Sequence, residues 1–238
     1  MSWRQFEWIS FDCYGTLIDW ESGILGYMRP LLRAKSCDAS DAQILNLYSE
    51  LEPREQSGAY VRYREVLAAV VRGFAQEMKF EVSANEADGL ADSIAQWKPF
   101  PDTVQGLHDL GTRFRLAVLS NIDDDLFALS AQQLQVPFDV VVTAQQARSY
   151  KPSHQNFGLL MDRLGTSKEK LLHAAESLYH DVAPARELGI ATVWVNRRQG
   201  RVAAASKLAE AMPDFEVSHI RQLARLALSR SATGSRES

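Results

Sequence analysis

Five short apolar runs punctuate the chain: Trp8 to Phe11, Leu116 to Leu119, Val140 to Val142, Leu171 to Ala175 and Ala191 to Val195. None alternates apolar with polar residues, which is the mark of strands buried on both faces of a parallel sheet. Helical spacing fills the stretches between them. Phe157, Leu160, Met161 and Leu164 fall at i, i+3, i+4 and i+7, with Ser153 placed to cap the start and Gly165 just past the end. A second helix is expected from about Ala183 to Leu188, closed by Gly189. Strand–helix–strand alternation of this kind predicts an α/β fold built on a doubly wound parallel sheet.

From Glu21 to Trp97 the alternation gives way to helical patterning throughout. Ile24, Tyr27, Met28, Leu31 and Leu32 form one apolar stripe, and Ile44, Leu47, Tyr48 and Leu51 a second. Tyr63, Val66, Leu67, Val70, Val71 and Phe74 form a third; Ala87, Leu90, Ala91, Ile94 and Trp97 form a fourth. Four stripes suffice for a small bundle with its own core. Lys98-Pro99-Phe100-Pro101 reads as the return linker. The expected organisation is a core of residues 1–19 and 98–228, a helical unit of residues 20–97, and a disordered tail of residues 229–238. A helical insert that leaves and re-enters the sheet at its catalytic edge is placed to act as a lid.

Composition narrows the class. With 238 residues, 46% of them hydrophobic, the chain is long enough for one large domain or one domain with an insertion. A net charge of −4 gives no support to non-specific nucleic-acid binding. No apolar run approaches the ~18 residues of a membrane span, and the N-terminus lacks the layout of a secretion signal. Cys13 and Cys37 show no metal-ligand spacing and suggest no disulfide framework, so a reducing, cytoplasmic compartment is expected.

Polar residues gather where the strands end. Asp12 follows the first run and precedes a Gly15-Thr16 turn; Ser120-Asn121 follows the second. Tyr150-Lys151-Pro152 precedes the Phe157 helix, and Glu176 to Asp181 follows the fourth run. Parallel strands point the same way, so these ends converge on one crevice. Each feature also has a plain reading: a turn Asp, a Ser-Asn helix cap, a surface lysine, a helix-start Asp. Carboxylate, hydroxyl, amide, ammonium and second carboxylate together make a nucleophilic hydrolase site.

In this order and spacing the four motifs resemble the haloacid dehalogenase superfamily, over nearly the whole chain from about residue 5 to 228. The resemblance implies a Rossmann-like core with an inserted helical cap. Asp12-Cys13-Tyr14-Gly15-Thr16-Leu17 looks like the 2-haloacid dehalogenase branch, whereas phosphatases of the superfamily carry a second Asp at the position of Tyr14. A phenol of pKa near ~10 is a poor acid for a leaving alkoxide, but halide needs no acid. By this resemblance Asp12 attacks the halogen-bearing carbon and Lys151 holds it ionised. Thr16 orients it, Asp181 holds Lys151 or the hydrolytic water, and Tyr14, Ser120 and Asn121 contact substrate and halide. No cofactor is then required. The implied partner is a small carboxylate, with homodimerisation through the cap also in keeping with the branch.

Several positions depart from the branch. Asn46 to Glu52 lacks the cap arginine, leaving Arg54, Arg62 or Arg64 as substitutes; Phe157 stands where a Tyr is usual. Glu176 and Leu178 replace Ser and Asn, and Glu176 is what a Mg²⁺-binding member would show. A Mg²⁺-dependent phosphatase using Asp12, Glu176 and Asp181 therefore stays open, as does a weakly catalytic binding protein. His108, His154, His173, His180 and His219 show no metal spacing and receive no role, although His180 lies beside Asp181.

Overall fold

A computed structural model describes residues 3–197 and 211–229. Six strands form one sheet: β1 (Trp8–Phe11), β2 (Arg115–Ser120), β3 (Val140–Thr143), β4 (Leu171–Ala175), β5 (Ala191–Val195) and β6 (Phe215–Val217). Their order is β3-β2-β1-β4-β5-β6 and every pairing is parallel. All four residues of β1 and all five of β4 are buried, as their unalternated sequences require. Ile9, Phe11, Leu116, Val118, Leu172 and Ala174 face one apolar cluster. Trp8, Ala117, Leu119 and Leu171 face the other, so both faces of the sheet are covered. The expected strands are all present. The three-residue β6 was not anticipated, being too short to carry a readable pattern.

The strand order reverses at β1, whose neighbours are β2 and β4. In open α/β sheets the crevice outside the strand ends at such a switch point is where ligands bind. Asp12 occupies that position.

Four helices stand between β1 and β2: α1 (Trp20–Ala34), α2 (Asp41–Glu55), α3 (Tyr63–Glu77) and α4 (Ala84–Asp92), followed by a 3₁₀ turn at Ser93–Gln96. They pack on one another along the four stripes. Ser40 and Ser83 cap α2 and α4 through reciprocal Ser–Gln43 and Ser–Glu86 capping boxes. The return linker pairs Pro99 with Ile18, beside the Asp12 turn. Around the sheet lie α5 (Thr103–Gly111), α6 (Asp124–Leu134), α7 (Ala144–Ala147), α8 (His154–Leu164), α9 (Ala183–Glu187) and α10 (Ile220–Leu228). Helix α8 starts on a Ser153 cap and stops at Gly165 in the left-handed region, at φ 58. Of the tail expected to be disordered, only Ser229 falls within the described residues.

Candidate active site

The backbone turns sharply after β1 because Gly15 adopts φ 94, a conformation that favours glycine. The turn brings Thr16 back over Asp12. The Thr16 hydroxyl donates to Asp12 Oδ2 at 2.7 Å and accepts from the Glu176 amide at 2.9 Å. Thr16 therefore fixes the carboxylate and ties the β1 end to the β4 end.

Lys151 reaches the same point from the loop before α8. Its ammonium donates to Asp12 Oδ1 at 2.9 Å, to Asp181 Oδ1 at 2.6 Å and to the Leu119 carbonyl at 2.9 Å. All three protons are used, and the residue is 2% exposed. Burial opposes its charge, but the two carboxylates outweigh it and hold its pKa above the usual lysine value. Burial also pushes the Asp12 carboxyl up; Lys151 opposes this and the nearby Asp181 charge adds to it. For Asp181 burial acts in the same sense, but Lys151 and His173 prevail and hold it below the ordinary carboxylate range. Asp181 sits in one wide helical turn, Leu178–Val182, with an i to i+5 bond from the Val182 amide to the Ser177 carbonyl.

Ser120 and Asn121 lie where their strand end places them, with different surroundings. The Asn121 side-chain amide donates to the Lys151 carbonyl at 3.1 Å and accepts from the Lys151 amide at 2.7 Å, so it clamps the Lys151 backbone. The Ser120 hydroxyl is buried and has no partner among the described residues. Tyr14 turns its ring against Trp97 and shares a 2.6 Å hydrogen bond with Ser130 on α6. Burial pushes its phenol pKa well above the ordinary value.

His173, given no role from sequence, belongs to this assembly. Its Nε2 donates to Asp181 Oδ1 at 3.0 Å, while Nδ1 shares a 2.8 Å hydrogen bond with the Ser10 hydroxyl, both groups being fully buried. Asp181, which can only accept, fixes the proton on Nε2. The signal was a histidine within the otherwise apolar Leu171 to Ala175, since a buried imidazole needs partners. His180, beside Asp181 and likewise given no role from sequence, lines the pocket. Phe157 is fully buried against the His173 ring, as core packing predicts.

A cavity of about 400 Å³ opens above Asp12, Lys151, Ser120 and Asp181. Trp20, Tyr48, Tyr63, Trp97 and Tyr150 wall it, and Glu52 of α2 faces it. None of the arginine substitutes lines it. Arg54 pairs with Glu55, Arg62 with Asp125, and Arg64 with Asp92. Sequence reasoning missed this wall because Tyr48 and Tyr63 fit the apolar stripes of their helices. They are indeed buried, but their hydroxyls meet at the cavity.

Asp12, Glu176 and Asp181 are the side chains that would hold a divalent cation in the phosphatase reading. Among the described residues no three His, Cys, Asp or Glu side chains cluster to hold one. Between Asp12 and Asp181 stands the Lys151 ammonium.

Residues 9–195, which carry this buried carboxylate with its hydroxyl and lysine, match a family model for haloacid dehalogenase-like hydrolases. The chain belongs to the haloacid dehalogenase-like hydrolases. Among relatives of this hydrolase, haloacetate dehalogenase H-2 of Moraxella sp. (strain B) is 28% identical over 200 residues, covering 82% of this chain and 87% of that one. The (S)-2-haloacid dehalogenase of Pseudomonas sp. (strain YL) is 27% identical over 226 residues, covering 92% and 93%. In fold, the hydrolase superposes on the L-2-haloacid dehalogenase PA0810 with a TM-score of 0.81 at 22% identity, over 94% of this chain and 100% of that one.

Proposed function

We propose that this hydrolase cleaves the carbon–halogen bond of a small 2-haloacid through an ester on Asp12. The carrying observation is Tyr14. Two residues beyond the nucleophile, it stands where a general acid would be needed, and burial raises its phenol pKa well above the ordinary value, which makes it a poor proton donor to a leaving alkoxide. A halide leaves without one. The names of the relatives point the same way.

In the first step an Asp12 carboxylate oxygen bonds to C2 as the carbon–halogen bond breaks, and halide departs with the bonding pair. Burial strips water from Asp12 and sharpens it as a nucleophile, while Lys151 holds it ionised. In the second step water attacks the Asp12 carbonyl carbon. The ester C–O bond breaks, Asp12 is regenerated, and a 2-hydroxy acid is released with one proton. Asp181 orients that water in this reading, which its Oδ2 supports by having no partner among the described residues. Ser120, likewise unpartnered, takes the substrate carboxylate, and the helices of residues 20–97 form the lid. The cytoplasm supplies the reducing setting in which Cys13 and Cys37 stay free.

The test is a paired assay: halide release from 2-chloropropanoate with chelator present, and phosphate release from an aryl phosphate with Mg²⁺. Chelator-insensitive halide release is expected, falling by about 10³-fold or more in Asp12→Asn. Mg²⁺-dependent phosphate release abolished by the same substitution would overturn the reading.

A further inference from the structure

The cavity has two unlike ends. At the sheet end Asp12 and Asp181 are matched by Lys151. At the helical end stands Glu52; no arginine among the described residues lines the cavity, and the lining lysine, Lys151, has all three protons committed to Asp12, Asp181 and the Leu119 carbonyl. Its Oε1 accepts two donors, the Tyr63 hydroxyl and the Gln56 amide, each at 2.9 Å. Its Oε2 takes no donor from the described residues.

Apart from Tyr63, the hydroxyls around Glu52 have their protons committed elsewhere. Tyr63 donates to Glu52, so the 3.0 Å contact between Tyr48 and Tyr63 has Tyr48 as donor. Ser49 and Ser57 donate to the backbone carbonyls of Asn46 and Arg54, and Tyr150 to that of Val61. This end of the cavity presents a carboxylate oxygen among aromatic side chains. Trp20 and Tyr48 stand 5.6 Å apart, and Tyr63 and Tyr150 stand 6.3 Å apart. A carboxylate oxygen left open in such a cavity is complementary to a cation through charge. At about 400 Å³, the cavity also has room for far more than a two-carbon acid.

We infer that the helical end of the cavity, Glu52 with the rings of Trp20, Tyr48 and Tyr63, is an ammonium subsite, and that the preferred substrate is a haloacid carrying a cationic amine at its far end. The inference rests on the proposed function for the reacting end alone. Such a substrate is a zwitterion. Its carboxylate meets Ser120 beside Lys151 and its cation meets Glu52, which resolves the repulsion a plain anion meets in an acidic cavity. Glu52 is thereby a specificity-determining residue rather than a catalytic one.

Two measurements on the full chain test this, and the first needs no turnover. Isothermal titration compares γ-aminobutanoate, pentanoate and glutarate, which place an ammonium, a methyl and a carboxylate at the same distance from the first carboxylate. The wild type is expected to bind γ-aminobutanoate about tenfold or more tighter than pentanoate, a difference of ~1.4 kcal/mol, and glutarate weakest. In Glu52→Gln the ammonium preference is expected to vanish, with thermal unfolding confirming that the variant folds. The second measurement compares kcat/KM for 2-chloro-4-(trimethylammonio)butanoate and its neutral isostere 2-chloro-5,5-dimethylhexanoate, and Glu52→Gln is expected to close the gap between them. Equal binding of the three ligands, a preference for glutarate, or a preference that survives Glu52→Gln would overturn the inference. Loss of all halide release with the titration preference intact would instead overturn the dehalogenase reading and leave the subsite standing.

Discussion

At the residue scale the centre of the molecule is Lys151. It is a buried ammonium with three acceptors, two of them charged, and the carboxylates it joins gain most of their tolerance for burial from it. A buried charge that loses its partner costs far more than a surface pair is worth. Lys151→Met, similar in volume, leaves Asp12 and Asp181 facing one another uncompensated, and unfolding by urea should show a loss of ~3–5 kcal/mol at neutral pH. The sign of the pH dependence follows. In the wild type the raised Lys151 pKa contributes stability that is present below the unfolded lysine value and is lost as pH rises through the folded one. In the variant both carboxylates bind protons more readily folded than unfolded, so acid relieves the penalty. The stability gap between variant and wild type should therefore narrow as pH is lowered from 8 to about 5. A gap that stays constant would mean that Lys151 contributes through packing alone.

At the element scale the junction between the helices and the sheet depends on a residue that sequence patterns did not single out. Helix α3 starts at Tyr63, and Arg62 before it supplies no side-chain cap. Its first amides are served from the β2 end instead: fully buried Asp123 accepts from the Tyr63 amide at 3.1 Å and the Arg64 amide at 2.9 Å. Tyr60 adds a hydroxyl at 3.3 Å and Arg62 an ion pair at 3.5 Å. A carboxylate at a helix N-terminus also opposes the positive end of the helix dipole. Asp123→Ala should lower stability by ~1–2 kcal/mol, as loss of a helix cap does, and raise KM more than it lowers kcat, because Tyr63 and Tyr150 wall the cavity while Asp12 is untouched. Hydrogen exchange at residues 63–66 should quicken; unchanged exchange there would show that Asp123 does not hold the helix. The contrast with the readable parts is instructive. The strands, the four stripes and the Ser153-to-Gly165 helix were legible because their signals are local and periodic. The roles of Asp123, His173 and Glu52 depend on partners 60, 8 and 11 residues away, and spacing along the chain does not report such contacts.

At the scale of the whole molecule the helices and the sheet share one core. A single apolar cluster runs from Ile24, Met28, Val66 and Phe74 through Leu17 and Ile18 to Phe11, Val118 and Leu223. Gly23 lets α1 close on Trp97, since a Cβ there would meet the ring at 2.4 Å. Arg197 adds a polar tie, donating to the Thr16 carbonyl at 2.7 Å and to Asp102 at 2.8 Å while its guanidinium lies 3.8 Å from the centre of the Phe100 ring. Continuous burial across a junction removes the independent stability of either side, because unfolding one exposes apolar surface on the other. The helical segment is thus expected to move over the site without folding or unfolding separately. Trp20 and Trp97 report on the helical side, Trp3, Trp8 and Trp194 on the sheet, where Trp3 stacks on Phe215 of β6, and far-ultraviolet circular dichroism on both. Denaturant titrations followed by tryptophan fluorescence in Trp3→Phe/Trp8→Phe/Trp194→Phe and in Trp20→Phe/Trp97→Phe backgrounds should each coincide with the far-ultraviolet transition of the same variant. A helical-side transition that precedes the sheet-side one would show two folding units, and would assign the shared cluster to docking rather than to a common core.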